Sequence, residues 1–478
     1  MSLLPRPAFI ASSLLVLAAA ARAAGAPLPA DVRSALGHAQ VPVEAAGIVV
    51  QEVGATAPML SWQPQRPLNP ASLFKLATTY AALDLLGPAY SWHTPVWLRG
   101  SVHDGVLEGD LVIKGQGDPK LVPERLWLLL HRVQQMGVRE IRGDIVLDRS
   151  AFQVPDSSPA EFDGEPLRPY NVKPDALLLA YKAIVYTFTP DPARGVARVS
   201  AEPVLQGLQI DAQVPLQPGP CDDWRGALKA SPADPDRMRF AGGYPTTCGE
   251  RSWPLAYADP ATYNARLLQA LWRDLGGKMS GSVKDGAAPA APPSFEASSP
   301  SLAELIRDIN KFSNNPMAQQ LFLTLGLTQR GSGTPAAARQ VLQEWLQQQL
   351  GPQAEGLVVD NGSGLSRETR ISAAALAQLL QSAWRSPVMP ELLASLPVAG
   401  LDGTARRAKG GAGRAHLKTG SLKDVVGIAG VVLGPNGRRR VVVMLVNHPR
   451  AEAARPALDA LVQWAGSASA GAEGPQNR

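Results

Sequence analysis

The sequence predicts an α+β fold built on one antiparallel sheet of five strands with helices packed on it. Two β-rich runs around a turn, AGIVVQEVGATAPMLSWQP at 46–64, predict an early hairpin. Three further β-rich runs near the C-terminus, RAHLKTGSL, VGIAGVVLG and RRRVVVMLVNH, precede a helical stretch, EAARPALDALVQWAG. Because early and late strands can combine into one sheet, the region between them, about 96–295, is predicted to be an insertion.

A chain of 478 residues is too long for one hydrophobic core, so several domains are expected. Early in the insertion, short strands such as VLEGDLVIKG flank a helical stretch, whereas the part that follows is rich in proline and short β-like pieces. The predicted units are a signal peptide at 1–23, a discontinuous main domain at 24–95 and 295–465, an inserted α+β domain at 96–165 and 255–294, a small inserted β domain at 166–254, and a flexible tail at 466–478.

The N-terminus has the layout of a cleaved secretory signal. Arg6 precedes a short apolar run, and Ala21-Arg22-Ala23 is a small-x-small cleavage pattern. An uncleaved membrane anchor is the alternative. In either case the mature chain is expected to work outside the cytoplasm, and we expect the periplasm.

Charge and histidine spacing exclude two classes of function. The chain has 46 Lys and Arg against 41 Asp and Glu without long basic runs, so no nucleic-acid partner is expected. Its six histidines are scattered without metal-ligand spacing. We therefore expect neither a metal nor a cofactor.

Two cysteines, Cys221 and Cys248, lie in the proline-rich part of the insertion. An oxidising compartment favours their pairing, and a disulfide closing this loop would contribute roughly 3 kcal/mol. Two buried free thiols are the alternative.

The stretch NPASLFKLATTYAALDLLGP, residues 69–88, predicts a helix whose first turn carries a serine and a lysine. Asn69 suits an N-cap, Pro70 the first helical position, and Gly87-Pro88 a stop. Ser72 and Lys75 are three residues apart and would share one helix face. A serine nucleophile needs a base, and a lysine whose pKa is lowered can be that base. Alone, the pair is also explained by an ordinary helix start.

A second candidate stretch, Ser313-Asn314-Asn315, lies at a junction between two predicted helices. Its serine hydroxyl can pass a proton to a leaving amine, and the Asn315 amide can hold a substrate carbonyl. The simpler interpretation is helix capping by Asn315 before Pro316.

The third stretch, Lys418-Thr419-Gly420 followed by Ser421, lies on a predicted strand. Lysine and threonine there can bind a carboxylate, glycine permits close approach of a ligand, and a strand N–H can stabilise an oxyanion. An ordinary basic edge strand is the alternative.

In this order and context, the three stretches form the constellation of serine penicillin-recognising enzymes. Similarity extends to KGQGDPKL, GDIVLDRSAF, VVDNGSGLSRETRISAAAL and LPVAGLDGTARR. From about 45 to 450 the chain resembles the penicillin-binding protein 4 family of D-alanyl-D-alanine carboxypeptidases and endopeptidases. This resemblance implies a serine β-lactamase/penicillin-recognition fold with two inserted domains.

The resemblance also implies a reaction. Ser72 would be acylated by the penultimate D-alanine of a peptidoglycan stem peptide, with Lys75 as general base. Ser313 and Lys418 would relay a proton to the leaving amine. Cleavage of a D-alanine–diaminopimelate cross-link is the same chemistry with another leaving amine, and β-lactam antibiotics would be covalent inhibitors.

For substrate binding, the resemblance implies that Asn315 holds the substrate amide and that Lys418 and Thr419 bind the terminal carboxylate. Backbone N–H groups of Ser72 and Ser421 would form the oxyanion hole.

Members of the family also recognise the diaminopimelate side chain, and the matching positions here are Asp148 and Arg367. These would meet its ammonium and carboxylate groups; a strand-end aspartate and a surface arginine are the alternative. The chain departs from the family pattern at Asn314, the most replaceable position of its motif, and at Gln319 and Thr369, which concern the substrate side of the site rather than the nucleophile.

Two other functions compete with a carboxypeptidase/endopeptidase. A β-lactamase-like hydrolase would need a segment that positions a deacylating water, and no E-x-x-x-N segment of that type occurs. A catalytically silent cell-wall-binding module would not need the full set of serines, lysines and asparagine. The sequence does not determine which of the two peptidase activities dominates. It is also compatible with attachment to a membrane surface and with a homodimer.

Overall fold

The computed structural model describes residues 27–234 and 236–467. The predicted signal peptide, 1–23, lies outside the described residues, as does the predicted tail from 468 onwards. The last helix runs to residue 467, two residues past the predicted start of the tail at 466. Among the helices that the structure describes, none is long and apolar enough to cross a membrane.

Eleven α-helices are found within the described ranges, numbered here along the chain. They are α1 Ala30–His38, α2 Lys75–Leu86, α3 Pro123–Gln135, α4 Trp224–Leu228, α5 Tyr263–Asp274, α6 Leu302–Lys311, α7 Asn315–Arg330, α8 Pro335–Leu350, α9 Ala373–Arg385, α10 Met389–Ser395 and α11 Arg455–Ser467. The predicted capping box at the start of α6 is present, with Ser301 and Glu304 each accepting the other's backbone N–H.

The main sheet has the five antiparallel strands that the sequence predicts. In spatial order they are β18 Ala415–Leu422, β19 Val425–Leu433, β20 Arg439–Asn447, β1 Ala46–Glu52 and β2 Leu60–Trp62. The early hairpin joins the late strands through β1 and β20, where Ile48 pairs with Met444. The fold class is therefore confirmed.

Helices cover both faces of the main sheet, because successive strand residues point to opposite sides. Val50 and Val442 pack with α1 and α11 on one face. Their neighbours Val49 and Val443 pack on the other face with the helices that follow the insertion. This second face also packs against α2, the helix that begins at Lys75.

The first inserted sheet has seven strands and is packed by α3 and α5. Its strands are β3 His93–His103, β4 Val106–Lys114, β5 Glu140–Ile141, β6 Ile145–Asp148, β15 Lys278–Met279, β16 Val283–Asp285 and β17 Phe295–Ser298. The N-terminal and C-terminal parts of the insertion thus form one sheet.

The middle of the insertion forms two smaller sheets. Strands β7 Ala183–Asp191, β8 Val196–Glu202, β10 Gln213–Gln217, β13 Tyr244–Pro245 and β14 Arg251–Ala256 form one, and β9 Gln209–Ile210, β11 Ala230–Asp234 and β12 Arg237–Phe240 the other. Cys221 and Cys248 form a disulfide in this region.

The limits of these sheets differ from the predicted domain limits by a few residues. Strand β3 begins before 96, β14 runs past 254, and β17 pairs with β3 although it was assigned to the main domain. One hydrophobic cluster also includes side chains of both inserted regions, such as Leu111 and Tyr186. The division into three domains stays a prediction.

Candidate active site

Ser72 lies in a 3₁₀ turn, Ala71–Phe74, directly before α2. Asn69 does not cap the helix as expected; its Oδ1 accepts the N–H of Ala71 at 2.9 Å. Ala71 has a φ of 47°, a left-handed conformation that a regular helix cannot contain, and this is why the α-helix begins only at Lys75. Backbone strain of this kind is often found at functional sites.

The turn that carries Ser72 is fixed by close backbone packing. A Cβ on Gly364 would lie 1.9 Å from the carbonyl oxygen of Ala71, and one on Gly420 would lie 2.7 Å from that of Pro70. Only glycine permits these approaches. Two other segments, the G-S-G stretch and strand β18, therefore hold the serine's turn in place.

Lys75 is fully buried, and its Nζ donates hydrogen bonds to three neutral oxygen atoms. Its Nζ lies 3.0 Å from Ser72 Oγ, 2.5 Å from Asn315 Oδ1 and 2.6 Å from the carbonyl oxygen of Ser363. Burial, and then the nearby charge of Lys418, hold the pKa of Lys75 well below its usual range. A lysine in this state can accept the serine proton.

Ser313 and Asn315 stand at the junction between α6 and α7. Ser313 has a φ of 57°, which turns the chain between the two helices. The expectation that Asn315 caps α7 was wrong: Asn314 is the cap, and its Oδ1 accepts the N–H of Met317 at 3.1 Å. The Asn315 side chain is therefore free to contact Lys75 and, through Nδ2 at 3.5 Å, the carbonyl oxygen of Tyr170.

Lys418 is the second fully buried lysine of the cleft. Its Nζ donates to Ser313 Oγ at 3.0 Å and to the carbonyl oxygen of Thr419 at 2.8 Å. Burial lowers the pKa of Lys418 to about 7. Neutral and charged forms are thus both accessible near neutral pH, as proton transfer requires.

The remaining residues of the third stretch line the open side of β18. Thr419 Oγ1 donates to Thr404 Oγ1 at 2.7 Å, and the exposed Ser421 accepts through Oγ from Arg455 Nη2 at 3.1 Å. Gly420 is buried against the turn of Ser72. All three predicted stretches therefore meet at one cleft.

Asp148 is a buried residue at the end of inserted strand β6, and it accepts hydrogen bonds from backbone groups. It is 4% exposed, and its two carboxylate oxygens accept the N–H groups of Ser150 at 2.9 Å and Ala288 at 2.8 Å. Burial raises its pKa, but these hydrogen bonds outweigh burial and lower it. Asp148 therefore has a structural role, and its expected contact with a substrate ammonium stays a prediction.

Arg367, in contrast, is exposed beside the cleft. It follows Ser366, whose carbonyl oxygen accepts from Asn69 Nδ2 at 2.8 Å. The guanidinium carbon of Arg367 lies 4.7 Å from the centre of the Phe162 ring. Its role in recognising a carboxylate stays a prediction.

Sequence reasoning missed two contributors to the cleft. The carbonyl oxygen of Ser363 holds the Lys75 ammonium, and Thr404 bonds the hydroxyl of Thr419. Both lie in the G-S-G-L-S and G-L-D-G-T stretches that carry the resemblance. Their contacts could not be predicted, because one uses a backbone atom and the other a hydroxyl with no motif of its own.

One cavity in the described part of the chain is lined by residues of the inserted region. Its volume is about 820 Å³, and Phe152, Asp175, Lys182 and Tyr257 are among its lining residues. Neither Ser72 nor Lys418 lines it. The chemistry of the site is therefore not expected in this cavity.

A serine beside a buried lysine, at the tip of a helix on a five-stranded antiparallel sheet, is the arrangement of serine penicillin-recognising enzymes. The chain belongs to the D-Ala-D-Ala carboxypeptidase 3 (S13) family, whose model matches residues 28–468. It is thus a serine-type peptidase.

Individual relatives agree with this family. A D-alanyl-D-alanine carboxypeptidase of an Actinomadura species is 30% identical in an alignment of 473 positions that covers 93% of this chain and 85% of the relative. The D-alanyl-D-alanine carboxypeptidase DacB of Haemophilus influenzae is 24% identical and covers 79% of this chain and 80% of its own length.

Solved structures show the same fold. Penicillin-binding protein 4 of Haemophilus influenzae matches with a TM-score of 0.71 at 22% identity, over 90% of this chain and 99% of its own. A predatory endopeptidase of Bdellovibrio bacteriovorus matches with a TM-score of 0.51 at 16% identity, over 90% of this chain and 96% of its own.

Proposed function

We propose that the peptidase attacks peptidoglycan stem peptides through an acyl-enzyme on Ser72. The observation that carries this proposal is the 3.0 Å contact between Lys75 Nζ and Ser72 Oγ, made by a lysine that has no carboxylate partner among the described residues. Lys75 takes the proton of Ser72 while Oγ attacks the carbonyl carbon of the penultimate D-alanine. The resulting tetrahedral oxyanion is stabilised by backbone N–H groups of Ser72 and Ser421.

Collapse of this intermediate breaks the C–N bond to the last residue. The leaving amine takes a proton from Ser313, which Lys418 supplies across their 3.0 Å contact. Water then attacks the ester and releases the shortened peptide. Asn315 holds the substrate amide, while Lys418 and Thr419 bind the terminal carboxylate.

The same chemistry serves two leaving amines. With D-alanine as leaving group the enzyme is a carboxypeptidase, and with a cross-linking diaminopimelate amine it is an endopeptidase. The name of the Bdellovibrio neighbour supports the second activity, and the Haemophilus structure solved with a β-lactam supports inhibition by β-lactams. Arg367 is the residue that we propose for recognising the diaminopimelate carboxylate.

Fluorescent penicillin tests the nucleophile. We expect a covalent band for the wild-type protein, none for Ser72→Ala, and a full band for Ser252→Ala on inserted strand β14, the control. A band that survives Ser72→Ala would overturn the assignment.

Digestion of purified muropeptides, with products identified by mass, tests the substrate: loss of terminal D-alanine or of cross-links is expected. Rapid hydrolysis of penicillin with intact muropeptides would instead indicate a β-lactamase.

For location, we propose that residues 1–23 direct export and that the mature chain works in the periplasm. Cell fractionation with N-terminal sequencing checks both points. Attachment to a membrane surface and a homodimer stay predictions, which vesicle sedimentation and light scattering of the purified protein would test.

A further inference from the structure

One edge of the cleft has an unbalanced positive charge. From Gly403 to Lys423 the chain has six Lys and Arg and no Asp or Glu. Asp402, just before this stretch, is already bound by buried Lys311, whose Nζ lies 2.5 Å from Asp402 Oδ2. The local excess of cations is therefore not neutralised from within the segment.

Three of these cations, Arg406, Arg407 and Lys409, are exposed and form what we call the basic rim. Several other arginines form ion pairs with acidic side chains. For example, Arg438 Nη1 lies 3.1 Å from Glu52 Oε2. Within the described residues, no ion pair involves any member of the basic rim. Their charges are thus available to a ligand.

The basic rim lies next to groups that we propose for substrate binding. Thr404 bonds Thr419 at 2.7 Å, and Arg406 is two residues further along. Two residues span at most about 7 Å, which is within the Debye length of about 8 Å at physiological salt. The charge of Arg406 therefore acts on a ligand held by Thr419, and Arg407 and Lys409 continue the positive charge along the same segment.

The segment that carries the basic rim is held by helix α11 and by the backbone at Ala399. Asp459 Oδ1 accepts the N–H groups of Lys409 at 3.1 Å and Gly410 at 3.4 Å, and Gly413 donates to the carbonyl oxygen of Ala399 at 2.8 Å. Because these contacts use the loop backbone, they fix its course while its basic side chains stay in solvent. The charges are presented from a defined position beside the cleft.

We propose that the basic rim is a docking site for the additional carboxylates of an anionic peptide substrate. This inference rests on the proposed function and deepens it. Stem peptides carry carboxylates on their branching residues as well as at the terminus; Thr419 and Lys418 use the terminal one, and Arg367 the one of diaminopimelate. The rim attracts the carboxylates that these residues leave unbound and raises the rate at which an oriented substrate enters the cleft.

The test compares two synthetic substrates that both end in D-Ala-D-Ala. One is a stem pentapeptide with several carboxylates, and the other is a diacetyl-lysyl-D-Ala-D-Ala tripeptide with a single one. For Arg406→Gln/Arg407→Gln/Lys409→Gln, we expect kcat/KM at low salt to fall about tenfold for the pentapeptide and about twofold for the tripeptide. The loss should appear mainly in KM and should shrink as salt is added.

A matched control removes the same charge elsewhere. Arg198, Arg239 and Arg273 are exposed, lie in the inserted regions and form no ion pair among the described residues. Their triple Gln variant should keep kcat/KM for the pentapeptide within about twofold of the wild type, since rim charges act over about one Debye length. An equal loss in both triple variants would mean that net charge alone is responsible, which overturns the inference.

Two further outcomes separate the possibilities. If the rim variant retains the wild-type kcat/KM but loses binding to phosphatidylglycerol vesicles, the rim is a lipid surface and the inference is wrong. If the wild type cleaves neither peptide and penicillin labels Ser72→Ala, the proposed function itself has failed. If both peptides are cleaved and the salt dependence of kcat/KM is the same in the wild type and the rim variant, the inference about the basic rim is wrong. The proposed function then still stands.

Discussion

Among the described residues, two lysines of the cleft and two cations of the inserted region have opposite kinds of partner. In the inserted region, Lys182 is 90% buried at its side chain and lies 2.7 Å from Asp175 Oδ2, while Arg149 contacts the same carboxylate at 2.9 Å. In the cleft, Lys75 and Lys418 contact only hydroxyl, amide and carbonyl oxygens.

The difference decides what each cation can do. Burial lowers the pKa of Arg149, but the charges of Asp175 and Asp285 more than offset this and raise it. Without a carboxylate, burial lowers the pKa of Lys75 and Lys418. A buried cation with a carboxylate stabilises the structure, whereas one that has only neutral partners becomes a base.

The largest expected effect follows from removing one lysine in each region. Lys75→Met should slow acylation by fluorescent penicillin on the order of 10³-fold, because no general base remains. Lys182→Met should reduce stability but leave the labelling rate of the folded protein unchanged. A time course of penicillin labelling measures the acylation rate of both variants. Rapid acylation of Lys75→Met would show that the lysine of the cleft is not needed as a base, which contradicts the proposed difference between the two regions.

The next effect concerns the carboxylate. Asp175→Asn leaves Arg149 and Lys182 without their shared negative charge, and the free energy of unfolding should fall by about 3 kcal/mol. Asp285→Asn is the control: its side chain is 65% exposed and lies 3.0 Å from Arg149. Its loss should be below about 1 kcal/mol. Urea unfolding measures both values, and equal losses would argue against a special role for the buried carboxylate.

The pH dependence of acylation sharpens the comparison further. Lys75 acts as a base only when it is neutral, so the rate should fall as pH drops through its lowered pKa. The charge of Lys418 contributes to that lowering, so Lys418→Gln should raise the pKa of Lys75. The acidic limb of the residual rate should then move to higher pH. A limb that stays in place or moves to lower pH would show that the two lysines are not coupled.

The smallest expected effect concerns a hydrogen bond between two neutral hydroxyl groups at the edge of the cleft. Thr404→Val removes the hydroxyl that bonds Thr419, and kcat/KM for a D-Ala-D-Ala peptide should fall roughly fivefold, or about 1 kcal/mol. Thr187→Val removes a similar surface contact, the one with Ser252 at 3.0 Å in an inserted sheet. That control should not affect turnover, and steady-state kinetics on both variants compares them.

By itself the sequence determined the fold class and the identity of the cleft residues. β-rich runs and turn signals predicted the five-stranded sheet, and the continuous apolar run of β20 fits a strand that is packed on both faces. Ser72, Lys75 and Lys418 were found from short motifs, since a nucleophile and its base need particular residue types at fixed local spacing.

Only the tertiary structure decided how the motifs act. Asn314 rather than Asn315 caps α7, Ser363 supplies a carbonyl oxygen to Lys75, and Asp148 is occupied by the N–H groups of Ser150 and Ala288. These outcomes depend on contacts between residues far apart in sequence or on backbone atoms that carry no residue signature. The lowered pKa values of the two lysines likewise depend on burial and on the absence of a nearby carboxylate, and both arise only when distant segments pack together.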